Sequence, residues 1–157
     1  MTQASPTGKK GKANMEILLA EDDPGHATLV KNNLRAVGIR NTIRRFEDGQ
    51  SVLNCLSDKQ NGTEHVDFEN AYLLLLDIRM PKISGDEVLR TIKSDDRLKV
   101  IPVIMLTTTD DPHEIRRCHE LGCNDYVTKP VEYDEFVEVI RRLGMFLQIV
   151  RVPPLED

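Results

Sequence analysis

Two acidic clusters each follow an unbroken apolar run. Leu73, Leu74, Leu75 and Leu76 lead into Asp77; Ile17, Leu18, Leu19 and Ala20 lead into Glu21, Asp22 and Asp23. Carboxylates crowded together repel one another, and they stay ionised most easily around a divalent cation that takes oxygen ligands. An ionised, fixed aspartate is also a competent nucleophile toward phosphorus, giving a mixed anhydride. Two further strand-like segments end on polar groups. The apolar residues 103–106 run into the Thr107 hydroxyl, and residues 125–128 run into Lys129-Pro130, a cation at a chain turn.

These residues need a scaffold that gathers strand ends. Apolar runs bounded by polar residues read as strands buried on both faces, and open α/β sheets place their ligand sites at the C-terminal ends of such strands. Strands are expected at 15–20, 41–46, 71–76, 101–106 and 125–128. Helical segments fall between them. Asp23-Pro24 reads as an N-cap with proline at the first helical position, opening a helix that carries Leu29, Val30, Leu34 and Val37 and ends at Gly38. Asp23 is therefore a helix cap before it is a metal ligand. Asp48-Gly49 starts a helix with Val52, Leu53 and Leu56. Ser84 with Glu87 reads as a capping box ahead of Val88, Leu89 and Ile92, and Asp111-Pro112 opens a helix that stops at Gly122. A last helix is expected over about 132–150, while 57–70 reads as a polar connection. This alternation implies βαβ units, a parallel sheet and helices on both faces.

Composition narrows the function classes. The 157 residues suit one domain, expected at 15–150, with a disordered tail at 1–14 and a short C-terminal tail at 151–157. The tail at 1–14 is polar and basic, with Lys9, Lys10 and Lys12, and lacks the apolar stretch of a signal peptide. A net charge of −5 argues against general attraction to nucleic acid. No apolar run reaches the ~20 residues of a membrane span. Three irregularly spaced cysteines, Cys55, Cys118 and Cys123, suit a reduced, cytoplasmic protein. His113, Cys118, His119 and Cys123 are close in sequence, but no pair keeps a zinc-ligand spacing.

An acidic pair, a lone Asp, a Thr and a Lys-Pro, each after its own strand and in this order, make a specific combination. Over about residues 15–145 the chain resembles a response-regulator receiver domain of two-component signalling. The resemblance implies a flavodoxin-like (βα)5 fold of doubly wound type, with a five-stranded parallel sheet in the order 2-1-3-4-5. It implies that Asp77 is the phosphoacceptor, that Mg2+ is the cofactor, and that the phosphoryl donor is a phosphohistidine on a sensor histidine kinase. Asp22, Asp77, the backbone carbonyl of Arg79 and the neighbouring Glu21 would then hold the metal. Thr107 would be the switch hydroxyl, with Thr108 and Thr109 leaving the register to be fixed. Lys129 would neutralise the phosphoryl group from a cis Lys-Pro bond, and Tyr126 would be the aromatic that moves with the switch. Arg79 and Thr109 would tune the lifetime of the phosphoryl group. Such a protein promotes only its own phosphorylation and dephosphorylation and is not an enzyme acting on other substrates.

The chain stops soon after its last helix, so it reads as a stand-alone receiver. Phe136, Ile140, Leu143, Leu147 and Val150 recur at heptad-like spacing; the first three suit the core face, while Met145, Phe146, Leu147, Ile149 and Val150 continue apolar past where the core should end. This points to a homodimer through the last helix and the C-terminal apolar segment. The stretch 82–100 and the run Leu143-Gly144-Met145-Phe146-Leu147 resemble small regulators paired with bacterial phytochrome-type kinases.

Three alternatives are weighed against this reading. A haloacid-dehalogenase-like phosphatase needs a second acid where Arg79 stands. A flavodoxin-like nucleotide-binding protein needs a Gly-, Ser- and Thr-rich loop where the chain is triply acidic. A degenerate receiver would not retain all five site positions.

Overall fold

The computed structural model describes residues 15–57, 66–67 and 69–155. The N-terminal tail expected at 1–14, and most of the connection expected at 57–70, lie outside the described residues. Strands and helices alternate: β1 (Glu16–Ala20), α1 (Pro24–Ala36), β2 (Ile43–Phe46), α2 (Gly49–Leu56), β3 (Tyr72–Leu76), α3 (Gly85–Lys93), β4 (Val103–Thr107), α4 (Pro112–Leu121), β5 (Asp125–Thr128) and α5 (Tyr133–Leu147). All pairings are parallel, and the sheet order is β2-β1-β3-β4-β5, as the resemblance implied. β4 begins two residues later than expected because Leu98–Val100 forms a 3-10 turn first, and it takes in Thr107 as its last residue.

Strand alternation divides the core in two. Leu18, Ala20, Leu74, Leu76, Val103 and Met105 face α2, α3 and α4, where Val52, Leu56, Val88, Leu89, Ile92 and Cys118 meet them. Ile17, Leu19, Leu73, Leu75, Ile104 and Leu106 face α1 and α5, meeting Val30, Leu34, Phe136, Ile140 and Leu143. Every residue of β3 and β4 is buried, whereas the edge strands β2 and β5 are only partly covered. That accounts for unbroken apolar runs at the centre and mixed sequence at the edges.

Helix ends follow local chemistry, with one departure. Asp23 Oδ1 accepts from the backbone N–H groups of Gly25 at 2.8 Å and His26 at 3.1 Å, so it caps α1 as expected. Asp48 and Asp111 cap α2 and α4 in the same way. Gly38 and Gly122 end their helices at φ +104° and +110°, a region open mainly to glycine. The capping box expected at Ser84 and Glu87 does not form. Ser84 precedes α3, but its hydroxyl donates to Asp86 Oδ1 at 2.5 Å, and Asp86 in turn pairs with Arg117 of α4. The nearer carboxylate takes the hydroxyl and leaves Glu87 beside Arg90, at 3.8 Å.

The heptad-like stripe of α5 is spent largely within the domain. Phe136, Ile140, Leu143 and Leu147 are buried, and Val150 packs against the same core. Beyond α5 the chain also stays on the domain. Gln148 donates to the Val37 carbonyl, Val152 and Leu155 are buried, and the Leu155 N–H donates to the Asn70 carbonyl. Met145, Phe146 and Ile149 remain exposed, at 54%, 44% and 72%.

Gly85 at the start of α3 lies against the end of β3. Its N–H donates to the Ile78 carbonyl at 2.7 Å, and a Cβ at this position would overlap the Asp77 carbonyl oxygen. The overlap is with backbone, which cannot swing aside. Gly85→Ala is therefore expected to lower stability by about 3 kcal/mol. Urea denaturation checks this, and a midpoint equal to that of the unsubstituted protein would show that the contact relaxes freely.

Candidate functional site

Parallel register carries the four strand ends to one edge of the sheet. Ala20 pairs with Leu76, Leu76 with Met105, and Thr107 with Thr128, so Glu21, Asp77, Thr107 and Lys129 follow as neighbours. Backbone bonds lock the order. The Asp77 N–H donates to the Ala20 carbonyl at 3.1 Å, and the Lys129 N–H donates to the Thr107 carbonyl at 2.7 Å. These four are the buried polar and charged residues among the described ones.

Lys129 is the hub. Its ammonium donates to Glu21 Oε1 at 2.5 Å and to Asp77 Oδ2 at 3.1 Å, with 1% of the side chain exposed. The other Asp77 oxygen accepts the Ile78 N–H at 2.7 Å, which fixes the carboxylate plane. No peptide bond among the described residues is cis, so the cis Lys129–Pro130 bond expected from the resemblance is not present. The β5–β4 backbone bond already aims the residue, and the four-carbon stem carries the ammonium to Asp77.

Glu21, Asp22 and Asp77 each offer a carboxylate oxygen, all within 4.8 Å of one another. Asp22 is exposed and the other two are buried. Burial pushes the Glu21 carboxyl up to about 7; the Asp77 charge adds to the rise, and the Lys129 ammonium opposes it. One ammonium therefore does not offset the cost of burying the Glu21 carboxylate. An all-oxygen donor set short of positive charge fits a hard divalent cation. Arg79 follows in the β3–α3 connection with its side chain exposed.

Of the three consecutive threonines, Thr107 is the buried one, and its Oγ1 has no hydrogen-bond partner among the described residues. A buried hydroxyl without a partner carries a desolvation cost that some other interaction must justify. Tyr126 lies partly buried against the α2–α4 side of the core and donates to the Thr109 carbonyl at 2.7 Å. Burial raises its hydroxyl above the ordinary range.

Two participants escaped the sequence reading. Arg45 of β2 donates to the Glu21 carbonyl at 3.0 Å and the Asp22 carbonyl at 3.1 Å, bracing the acidic turn. His26 in the first turn of α1 brings Nδ1 to 3.0 Å from the Lys129 ammonium. Arg45 stands in a polar edge strand, and only the register of β2 on β1 gives it meaning. The signal for His26 was its place three residues after the Asp23 cap.

Residues 17–141 match the family model described as the response regulator receiver domain. The chain belongs to this receiver-domain family. It is 33% identical over 138 residues to the response regulator Rcp1 of Synechocystis, covering 87% of this chain and 92% of that protein. A response regulator receiver domain from Rhodospirillum rubrum superposes with a TM-score of 0.83 at 43% identity, over 90% of this chain and 99% of that one. The Mn2+-bound form of Rcp1 superposes at 0.77 with 29% identity, over 89% and 99%. The bacteriophytochrome response regulator RtBRR gives 0.67 with 35% identity, over 88% and 83%.

The unpartnered Thr107 hydroxyl makes a prediction about stability alone. Thr107→Val keeps the shape and removes the orphaned group, so the fold should hold its stability or gain up to ~1 kcal/mol. A thermal or urea midpoint that falls by that amount instead would mean the hydroxyl is bonded in the resting protein.

Proposed function

We propose that this receiver domain accepts a phosphoryl group on Asp77 in a Mg2+-dependent reaction and changes conformation to signal to a partner. The observation that carries the reading is the buried Asp77–Lys129 contact at 3.1 Å, with an unpartnered hydroxyl at the end of the adjacent strand. Phosphoryl transfer needs positioning and charge stabilisation more than covalent help from the protein. Asp77 is held by the Ile78 N–H, and Lys129 is poised to neutralise a transferred phosphoryl group. Thr107 would donate to one of its oxygens and so gain the partner it lacks.

Glu21, Asp22, Asp77 and the Arg79 carbonyl would hold the Mg2+. When bound, the ion offsets the negative charge that phosphate would otherwise meet. The donor is a phosphohistidine on a sensor histidine kinase, and the resemblance to the bacteriophytochrome response regulator RtBRR supports a phytochrome-type kinase. Hydrolysis of the aspartyl phosphate resets the protein, which thus acts only on itself. Arg79 and Thr109 would tune the phosphoryl lifetime, and Tyr126 would respond to Thr107. The three cysteines are buried and none is in a disulfide, which suits a reducing cytoplasm. No helix among the described residues is long and apolar enough to cross a membrane.

The decisive experiment is phosphorylation by acetyl phosphate. With Mg2+ the protein should gain an acid-stable, base-labile phosphoryl group. Asp77→Asn, or chelation of the metal, should abolish the label. Equal labelling of the protein and Asp77→Asn would refute the site.

A homodimer through α5 is the second part of the proposal. Met145, Phe146 and Ile149 are exposed together, and Phe146 borders a shallow depression of about 300 Å3 lined with Ile104, Val127, Val139 and Leu143. A second copy would cover this apolar surface. Sedimentation should give a dimer that Phe146→Glu with Ile149→Glu converts to monomer. A monomer at high concentration, phosphorylated or not, sinks the dimer.

A further inference from the structure

The three N–H groups of the Lys129 ammonium have three acceptors, and only two belong to the acidic cluster. Glu21 Oε1 lies at 2.5 Å, Asp77 Oδ2 at 3.1 Å and His26 Nδ1 at 3.0 Å. An ammonium can only donate, so the His26 contact makes Nδ1 an acceptor. The ring proton then sits on Nε2, with the Nδ1 lone pair toward Lys129. Two anchors set its position. The His26 N–H donates to the Asp23 cap at 3.1 Å, and the ring meets Phe136 of α5 edge-on, with centroids 5.4 Å apart at 81°. A histidine placed only for packing would have no need to direct a nitrogen at the lysine.

We infer that His26 is a positioning residue for phosphoryl transfer, holding Lys129 between Glu21 and Asp77. The inference rests on Asp77 being the phosphoacceptor. In that step an Asp77 oxygen forms a bond to phosphorus as the bond from phosphorus to the donor's leaving atom breaks, a ring nitrogen in a phosphohistidine or an oxygen in acetyl phosphate. With acetyl phosphate the electron pair leaves on acetate, and Lys129 keeps all its protons throughout. The ammonium must therefore be able to leave Asp77 Oδ2, where it rests at 3.1 Å, and turn to the incoming phosphoryl oxygens. The acceptor at His26 takes one N–H that would otherwise turn to a carboxylate. Without it all three N–H groups are left to the two carboxylates, which tightens the Lys129–Asp77 contact that must open for attack.

Three substitutions separate this role from packing. His26→Leu removes both the acceptor and the ring. His26→Phe keeps the aromatic edge against Phe136 but has no acceptor. His26→Asn supplies a side-chain oxygen near the place of Nδ1. Initial rates of labelling by acetyl phosphate with saturating Mg2+ are the readout, with thermal midpoints confirming that each variant is folded. His26→Leu and His26→Phe should both label about tenfold more slowly, the scale of one hydrogen bond to a charged group. His26→Asn should recover to within about threefold of the unsubstituted protein. A His26→Phe variant as fast as the unsubstituted protein, or His26→Asn as slow as His26→Phe, overturns the role. If the unsubstituted protein itself takes no label, the reading of Asp77 fails, and that outcome is distinct from either.

Discussion

One buried ammonium stands against two buried carboxylates, and the site is organised around that imbalance. Lys129 touches both Glu21 and Asp77, while Asp22 adds a third negative charge at the rim. Burying charge carries a desolvation penalty that pairing only partly offsets. The remainder shows in Glu21, whose carboxyl is pushed up to about 7 even with Lys129 at 2.5 Å. Such a cluster is short of positive charge and built from oxygen donors. A divalent cation relieves the strain between the carboxylates. On the proposed reading, a phosphoryl group arriving with that cation would meet a pocket whose net charge no longer repels it.

The rest of the fold serves to keep those charges from moving apart. β1, β3, β4 and β5 come from distant parts of the chain, yet the parallel ladder fixes their ends at one edge. Both faces of β3 and β4 are covered by helices, so a register slip of one residue would turn the whole strand against the wrong core half. Arg45 adds a local brace from the outer strand, bonding the carbonyls of Glu21 and Asp22. The negative side chains are thus presented by a backbone that cannot recoil from their repulsion.

Much of this was legible in sequence because buried parallel strands are written as unbroken apolar runs, and their ends name themselves. Leu73–Leu76 before Asp77 is readable from a single line of text. The Asp23 and Asp111 caps were readable because capping depends on residues two or three apart. The reading weakened wherever a side chain had a choice of partner. Ser84 took Asp86 rather than forming a capping box, because Asp86 is also fixed by Arg117 from another helix. Arg45 and His26 become site residues only through packing of β2 and α1 on β1, which no local pattern encodes. The α5 stripe looked like interface in sequence, yet Leu147 and Val150 turn onto the domain, leaving three exposed apolar residues.

The start of α3 is already in contact with the proposed nucleophile. Gly85 brings the first turn of α3 against the Asp77 carbonyl so closely that a side chain could not fit, and its N–H holds the Ile78 carbonyl. A shift at Asp77 therefore has no slack to absorb it before reaching α3. From there the Asp86–Arg117 pair leads to α4, while on the other side Thr109 receives the Tyr126 hydroxyl. Thr107 lies between these routes with its hydroxyl unspent. On the proposed reading, giving that hydroxyl a phosphoryl oxygen to bind would draw the β4–α4 connection toward Asp77. The resting protein would then hold its response as an unmade hydrogen bond rather than as backbone strain.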